Sequence, residues 1–185
     1  GAGLAGGAVT LSGGTIVTTG AIDSSGSNAV TAGLGGNAGT INLNATGGTP
    51  TISLGGSITA QGGTGVGSAG GTGGSVTVQD PTTLTSNITI LSNGGAGSST
   101  GAGGAVAFTA AGSTTVDSDA TPRSLTINAG TANVTFGAGV GNSAGLASLD
   151  VTGGTTILTG NVSLANVAGN NVTLTSNLTL NSNVT

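Results

Sequence analysis

Hydrophobic and polar positions alternate in short runs along this chain. The triplet Val76-Thr77-Val78 follows a glycine pair and puts two apolar β-branched side chains on one face of an extended segment, with a threonine on the other. The phrase recurs as GGAVTL at 6–11, NAGTINL at 37–43 and GGAVAF at 103–108. Aligning Val9, Ile41, Val76 and Val106 gives a long repeat of uneven length, as fixed strands joined by loops of different size would produce. Between these anchors lie further strand-like pieces: TIVTTGAI (15–22), TISLGGSITA (51–60), LTSNITIL (84–91) and STTVDS (113–118). Their β-branched content and their Gly, Asn, Asp and Ser punctuation predict strands. No segment sustains an apolar period of 3.6 residues, so no helix is expected.

Toward the C-terminus the repeat tightens, and Ile127, Leu149 and Val172 are taken as equivalent within LTINAG, LASLDV and NVTLTS. The chain reads as one segment, 1–185, with longer coils and Gly-rich loops in 1–112 and tighter coils in 113–185. A strand of a few residues buries too little surface to stand alone, but stacking each coil on the next satisfies its backbone and its apolar side together. The expected fold is therefore all-β, a β-solenoid. Val, Leu, Ile and Ala should fill a narrow interior with Phe108 and Phe136, while the middle residues of the triplets point outward. Glycine stretches such as GGTGVGSAGGTGG (62–74) are read as corners, where glycine permits positive φ and small residues let coils approach closely.

Composition narrows the chemistry. The chain carries one cation, Arg123, five aspartates (Asp23, Asp80, Asp117, Asp119, Asp150) and no His, Cys, Lys, Glu, Trp, Tyr or Met. Ser/His/Asp, Cys/His and lysine nucleophile schemes each need a side chain that is absent. Zinc and redox-metal sites built on His or Cys are excluded for the same reason, and no cofactor is expected. With a net charge of −4 and no Tyr or Trp, the chain has neither the basic surface nor the stacking platform that nucleic acid requires. The glycine stretch lacks the Lys-Ser/Thr of a phosphate loop, and residues 62–74 lack the aspartates of a calcium-binding glycine repeat. No apolar run approaches the roughly 20 residues of a membrane span, so no membrane insertion is expected. The sequence opens in mid-pattern at GAGLAGG, which reads as a mature product or an excised piece.

Three polar patterns carry candidate functions. Asp117 and Asp119 in VDSDA, near Arg123, would share a strand face as an acid/base pair for polysaccharide cleavage; the alternative is a solvated turn before Pro122. Thr83/Thr85 and Thr173/Thr175 suggest an ice-binding threonine face, but the outward row Thr10, Asn42, Thr77, Ala107 forms no regular lattice. Asn-x-Ser/Thr triplets occur at Asn44, Asn87, Asn133, Asn161, Asn171, Asn177 and Asn183; in such positions asparagine is expected to bond the backbone or to stack between coils.

Residues 124–151, SLTINAGTANVTFGAGVGNSAGLASLDV, resemble the β-strand repeats of filamentous-haemagglutinin-like exoproteins, very large surface and secreted proteins of Gram-negative bacteria. Leu125–Phe136 stand where that family has an LTINAGTGNVTF phrase, and Leu146–Thr152 where it has LASLTVT. The earlier GGxVxL units look like looser repeats of the same kind. The resemblance implies a right-handed parallel β-helix, export across the outer membrane, an extracellular or cell-surface location, and a role as an adhesive or structural stalk without catalytic residues. The family's N-terminal secretion domain is missing from this chain. The expected function is a non-enzymatic rod or filament in adhesion or biofilm matrix. Its expected partners are further copies end to end, flanking repeats, and cell-surface or matrix glycans. The alternatives are a self-assembling homopolymeric fibre subunit, a polysaccharide-degrading β-helix and an ice-binding protein.

Overall fold

A computed structural model describes residues 1–18, 20–109 and 115–182. Among them the chain is all-β and runs in stacked circuits. The first comprises β1 (Val9–Gly13), β2 (Thr15–Thr18) and β3 (Ile22–Asp23). The next three are β4 (Ile41–Ala45), β5 (Thr51–Leu54) and β6 (Ile58–Thr59); β7 (Val76–Val78), β8 (Thr82–Leu84) and β9 (Ile88–Leu91); and β10 (Val106–Phe108), β11 (Val116–Ser118) and β12 (Ser124–Asn128). β13 (Val134–Phe136), β14 (Ser148–Leu158) and β15 (Asn171–Leu180) complete the stack.

Each strand pairs in parallel with its counterpart one circuit away. First strands form the row β1-β4-β7-β10-β13, second strands a four-stranded sheet β2-β5-β8-β11, and third strands the row β3-β6-β9-β12. β14 belongs to two rows at once: its start pairs with β12 and its end with β13, which joins both rows into one 11-stranded sheet. Val9, Ile41, Val76, Val106 and Val134 are in register, as the repeat predicts for the first four. In the tighter half, however, Leu125 rather than Ile127 pairs with Leu149, which in turn pairs with Val172. A slip of two residues leaves every side chain on its own face, so apolar alternation alone does not detect it. Three of the strand-like pieces, 15–22, 51–60 and 84–91, are each divided between two strands; TISLGGSITA becomes β5 and β6 around Gly55-Gly56.

Inward positions alternate with outward ones on most strands, and Ile41, Leu43, Ile52, Leu54, Val76, Val78 and their counterparts fill one continuous core. Phe108 and Phe136 are the largest fully buried side chains, stacked with ring centroids 5.4 Å apart at 4°. Full burial of each such side chain contributes about 1.5–3 kcal/mol.

Between the third strand of one circuit and the first of the next, the chain leaves this core. Residues 24–40, 60–75 and 92–105 run outward, reverse and return, and residues 1–8 lie beside the first return. Along the return segments the donors recur every third residue. The amides of Gly3, Gly6 and Val9 donate to the carbonyls of Leu34, Asn37 and Thr40; those of Gly35, Ala38 and Ile41 to Ala69, Thr72 and Ser75; and those of Gly70, Gly73 and Val76 to Ser99, Ala102 and Ala105. This is the threefold period of a polyproline II helix, not the twofold period of a strand. Outward segments bond in the same sense, Gly26 and Ala29 to Gln61 and Thr64, then Gly62 and Gly65 to Asn93 and Ala96.

A zigzag of bonds joins the outward and return layers: Ser27 to Leu4, Gly36 to Ser27, Gly63 to Gly36, Gly71 to Gly63, Gly95 to Gly71 and Gly101 to Gly95, each amide to the next carbonyl. The result is a glycine bundle whose interior is backbone. A Cβ on Gly71 would overlap the carbonyl of Gly36, and one on Gly63 that of Ser27. The stretch 62–74 is therefore a bundle element rather than a corner. Within it positive φ occurs at Gly67 (62°), where the chain reverses, and the remaining glycines serve close approach.

Candidate functional site

The structure separates the paired carboxylates suggested by VDSDA. Asp117 lies on β11 and is buried under the loop that follows β13, where its Oδ1 accepts the amides of Ser143 (2.9 Å) and Ala144 (3.3 Å). Asp119 falls beyond the end of β11 and binds Arg123 through two bonds, Nε to Oδ1 at 2.9 Å and Nη2 to Oδ2 at 2.8 Å. Its Oδ1 also accepts the Thr121 amide. The guanidinium, followed by that amide, holds the Asp119 carboxyl below its ordinary value, and the carboxylate in turn raises Arg123. The two acids thus share no open strand face, because the i, i+2 rule fails where the strand ends at Ser118. The chain's one cation is already occupied.

Two of the other three acids are also committed locally, while Asp150 is exposed on β14. Asp80 is buried, and its Oδ2 accepts the Ala45 amide at 2.7 Å across a circuit. Asp23 accepts the Ser25 amide at 2.8 Å, and its bonds with Ser25 lower its pKa. Among the described residues no three His, Cys, Asp or Glu side chains gather as metal ligands, and no helix is long and apolar enough to cross a membrane.

Thr10, Asn42, Thr77 and Ala107 do share one outward row, in register, and Thr135 and Ile157 extend it. Thr85 turns back onto the backbone, its hydroxyl donating to Leu54 O at 3.1 Å, whereas Thr173 and Thr175 are exposed on β15. Several asparagines act as expected, bonding from one circuit to the next. Asn28 accepts the Thr64 amide, Asn37 the Thr72 amide and Asn87 the Ser124 amide, at 2.7, 2.9 and 3.0 Å. Of the remaining triplets, Asn44 is half-buried on β4, Asn133 is exposed before β13, Asn171 and Asn177 are exposed on β15, and Asn161 is half-buried. Asn183 lies outside the described residues, as do residues 113 and 114 of STTVDS.

Sequence reasoning missed the glycine bundle. Its outer return face is an array of small uncharged side chains, with Ala5, Asn37, Thr72 and Ala102 aligned across successive segments and exposed. The available signal was a G-x-x-G spacing, present at Gly3/Gly6, Gly36/Gly39, Gly62/Gly65, Gly71/Gly74, Gly94/Gly97 and Gly101/Gly104. No protein-family profile, curated protein or solved structure matches the chain.

Proposed function

We propose that the chain is a right-handed parallel β-helix, a β-solenoid, acting as a non-enzymatic extracellular rod of the bacterial cell surface in adhesion or biofilm matrix. The observation that carries this reading is the unbroken register of one inward column, Val9, Ile41, Val76, Val106 and Val134, through successive circuits. Such a ladder sums stability over neighbouring circuits and resists bending, so the molecule acts by its length and stiffness. The handedness is the one that parallel crossover connections overwhelmingly adopt. The surface location and the adhesive role rest on the resemblance of residues 124–151 to filamentous-haemagglutinin-like repeats, with cell-surface or matrix glycans and flanking repeats as partners.

Small-angle scattering of the purified chain tests the shape, and an elongated particle is expected. Incubation with bacterial and matrix polysaccharides tests the chemistry. Glycan cleavage that disappears in Asp117→Asn/Asp119→Asn would replace the rod with a polysaccharide-degrading enzyme. A second reading, a homopolymeric fibre subunit, is favoured by the exposure of β15 along its length.

A further inference from the structure

The four-stranded sheet stops at β11, and the next level of its row is the bridge of Val140 to Val116. Around that bridge Val116 N donates to Gly139 O and Gly141 N to Val116 O, as in a parallel ladder. Two residues further along β11, however, Ser118 N donates to Ala144 O, five residues beyond Gly139. A parallel ladder advances by two residues on both sides, so the segment facing β11 carries three residues more than β11 does over this interval. The surplus rises as an arch over the middle of β11, beginning at Gly141, whose φ is 72°. Its crown is exposed at Asn142 and Ser143, while β11 beneath it is buried at Val116, Asp117 and Ser118 alike.

An arch takes amides out of the ladder, and a buried amide without an acceptor is costly. Those of Ser143 and Ala144 converge on one atom, Asp117 Oδ1, at 2.9 and 3.3 Å. Successive amides that converge on one point beside a residue of positive φ form a nest, a backbone geometry that holds anions. Register singles out the occupant. Asp117 stands in the outward column of Val17, Ser53 and Thr83, so this column carries a carboxylate at the level where the arch follows. Arg123 is engaged by Asp119 through two bonds, and the nest amides compensate the buried charge of Asp117.

We infer that residues 141–144 form a binding site for a small carboxylate, filled in the native chain by Asp117 as a tethered ligand that straps the arch down on β11. Because this ligand belongs to the same chain, its effective concentration exceeds that of a free anion, and the native site is closed to outside carboxylates. Removing the side-chain carboxylate while keeping the backbone leaves a vacant nest under an exposed crown. Such a nest takes an anion that presents a single oxygen, and formate is the smallest carboxylate that does so. The inference goes beyond the rod reading and does not depend on it.

Amide hydrogen exchange of the 185-residue chain tests it, with sodium formate as the probe and sodium chloride at equal ionic strength as the control. In the parent neither salt alters exchange at Ser143 and Ala144. Asp117→Ala speeds exchange at both amides about tenfold and leaves Val76 and Val106 protected. Formate then restores the two amides saturably toward the parent rate, and chloride does not. Asp117→Asn keeps an acceptor oxygen without the charge, and its exchange falls between the parent and Asp117→Ala. Unchanged exchange in Asp117→Ala would overturn the inference, because the backbone bonds of Val116 and Ser118 would then hold the arch alone. Acceleration that both salts reverse equally, or that neither reverses, would remove the anion site. Parent-like exchange in Asp117→Asn would do the same, since a neutral oxygen would suffice. Lost protection at Val76 and Val106 in Asp117→Ala would also overturn it, as Asp117 would then hold the stack and not the arch.

Discussion

The strand core and the glycine bundle are built on the same circuits, stacked at the same spacing of about 4.8 Å, yet they cohere by opposite means. In the core, inward Val, Ile, Leu and Phe side chains are removed from water and the backbone ladder is set around them. In the bundle, side chains are excluded from the interior and backbone carbonyls and amides meet one another directly. Each internal hydrogen bond contributes only about 0.5–1.5 kcal/mol net, and fixing a glycine costs about 0.5–1 kcal/mol more than fixing an alanine. The bundle is therefore near balance by itself. It is ordered because the excursions 24–40, 60–75 and 92–105 are each held at both ends by strands of the core. Stacking circuits in register can support a second kind of packing at their margin once the first has fixed the spacing.

Breaking the core should do the most damage. Phe136→Ala removes one ring of the stacked pair and leaves a cavity in the core, with an expected loss of about 3–5 kcal/mol in urea unfolding. Breaking the bundle should cost less and act locally. Gly39→Ala forces a methyl group into the carbonyl of Gly7, with an expected loss of about 1–3 kcal/mol and faster amide exchange at Ala38 and Gly74, while Val76 and Val106 keep their protection. Gly7→Ala sharpens that result. It occupies the same column at the open edge, a Cβ there meets nothing within 4 Å, and the melting temperature should match the parent. Equal effects at Gly7 and Gly39 would show that backbone entropy, not close approach, dictates these glycines. Asn37→Ala should cost about 0.5–1.5 kcal/mol, since it removes the acceptor for Thr72 and alters no apolar contact.

The smallest effect belongs to the ion pair. The folded pKa of Asp119 lies below its model-compound value of 3.8, so its contribution is full above that pH and is lost as pH falls through the folded value. Asp119→Asn should lower the melting temperature slightly at neutral pH, where the contribution is full, and the difference from the parent should vanish as pH falls through the folded value. A large neutral-pH loss would show that this half-buried pair organises β11 and β12.

Much of the core was legible because side chains write its pattern. The inward column from Val9 to Val106 follows from Val-Thr-Val alternation, and the burial of Phe108 and Phe136 follows from their place in it. The exchange of Ile127 for Leu125 was invisible because a twofold pattern is unchanged by a two-residue shift. The three-sided circuit was also hidden, since a bend at Gly55-Gly56 or after Leu84 interrupts neither composition nor alternation. The bundle eluded a reading of side chains because its pattern is an absence of them every third residue. At VDSDA, neighbours in sequence were assigned to one face, but a three-residue strand has no room for both carboxylates.

The glycine bundle also sets a thermal asymmetry. Apolar burial loses strength on cooling, because exposing hydrocarbon raises the heat capacity of the unfolded chain, whereas exposing amides lowers it. The interior of the bundle is almost wholly amide. As temperature falls toward freezing, the strand core passes its optimum while the bundle continues to tighten, so the margin of this molecule is at its firmest in the cold.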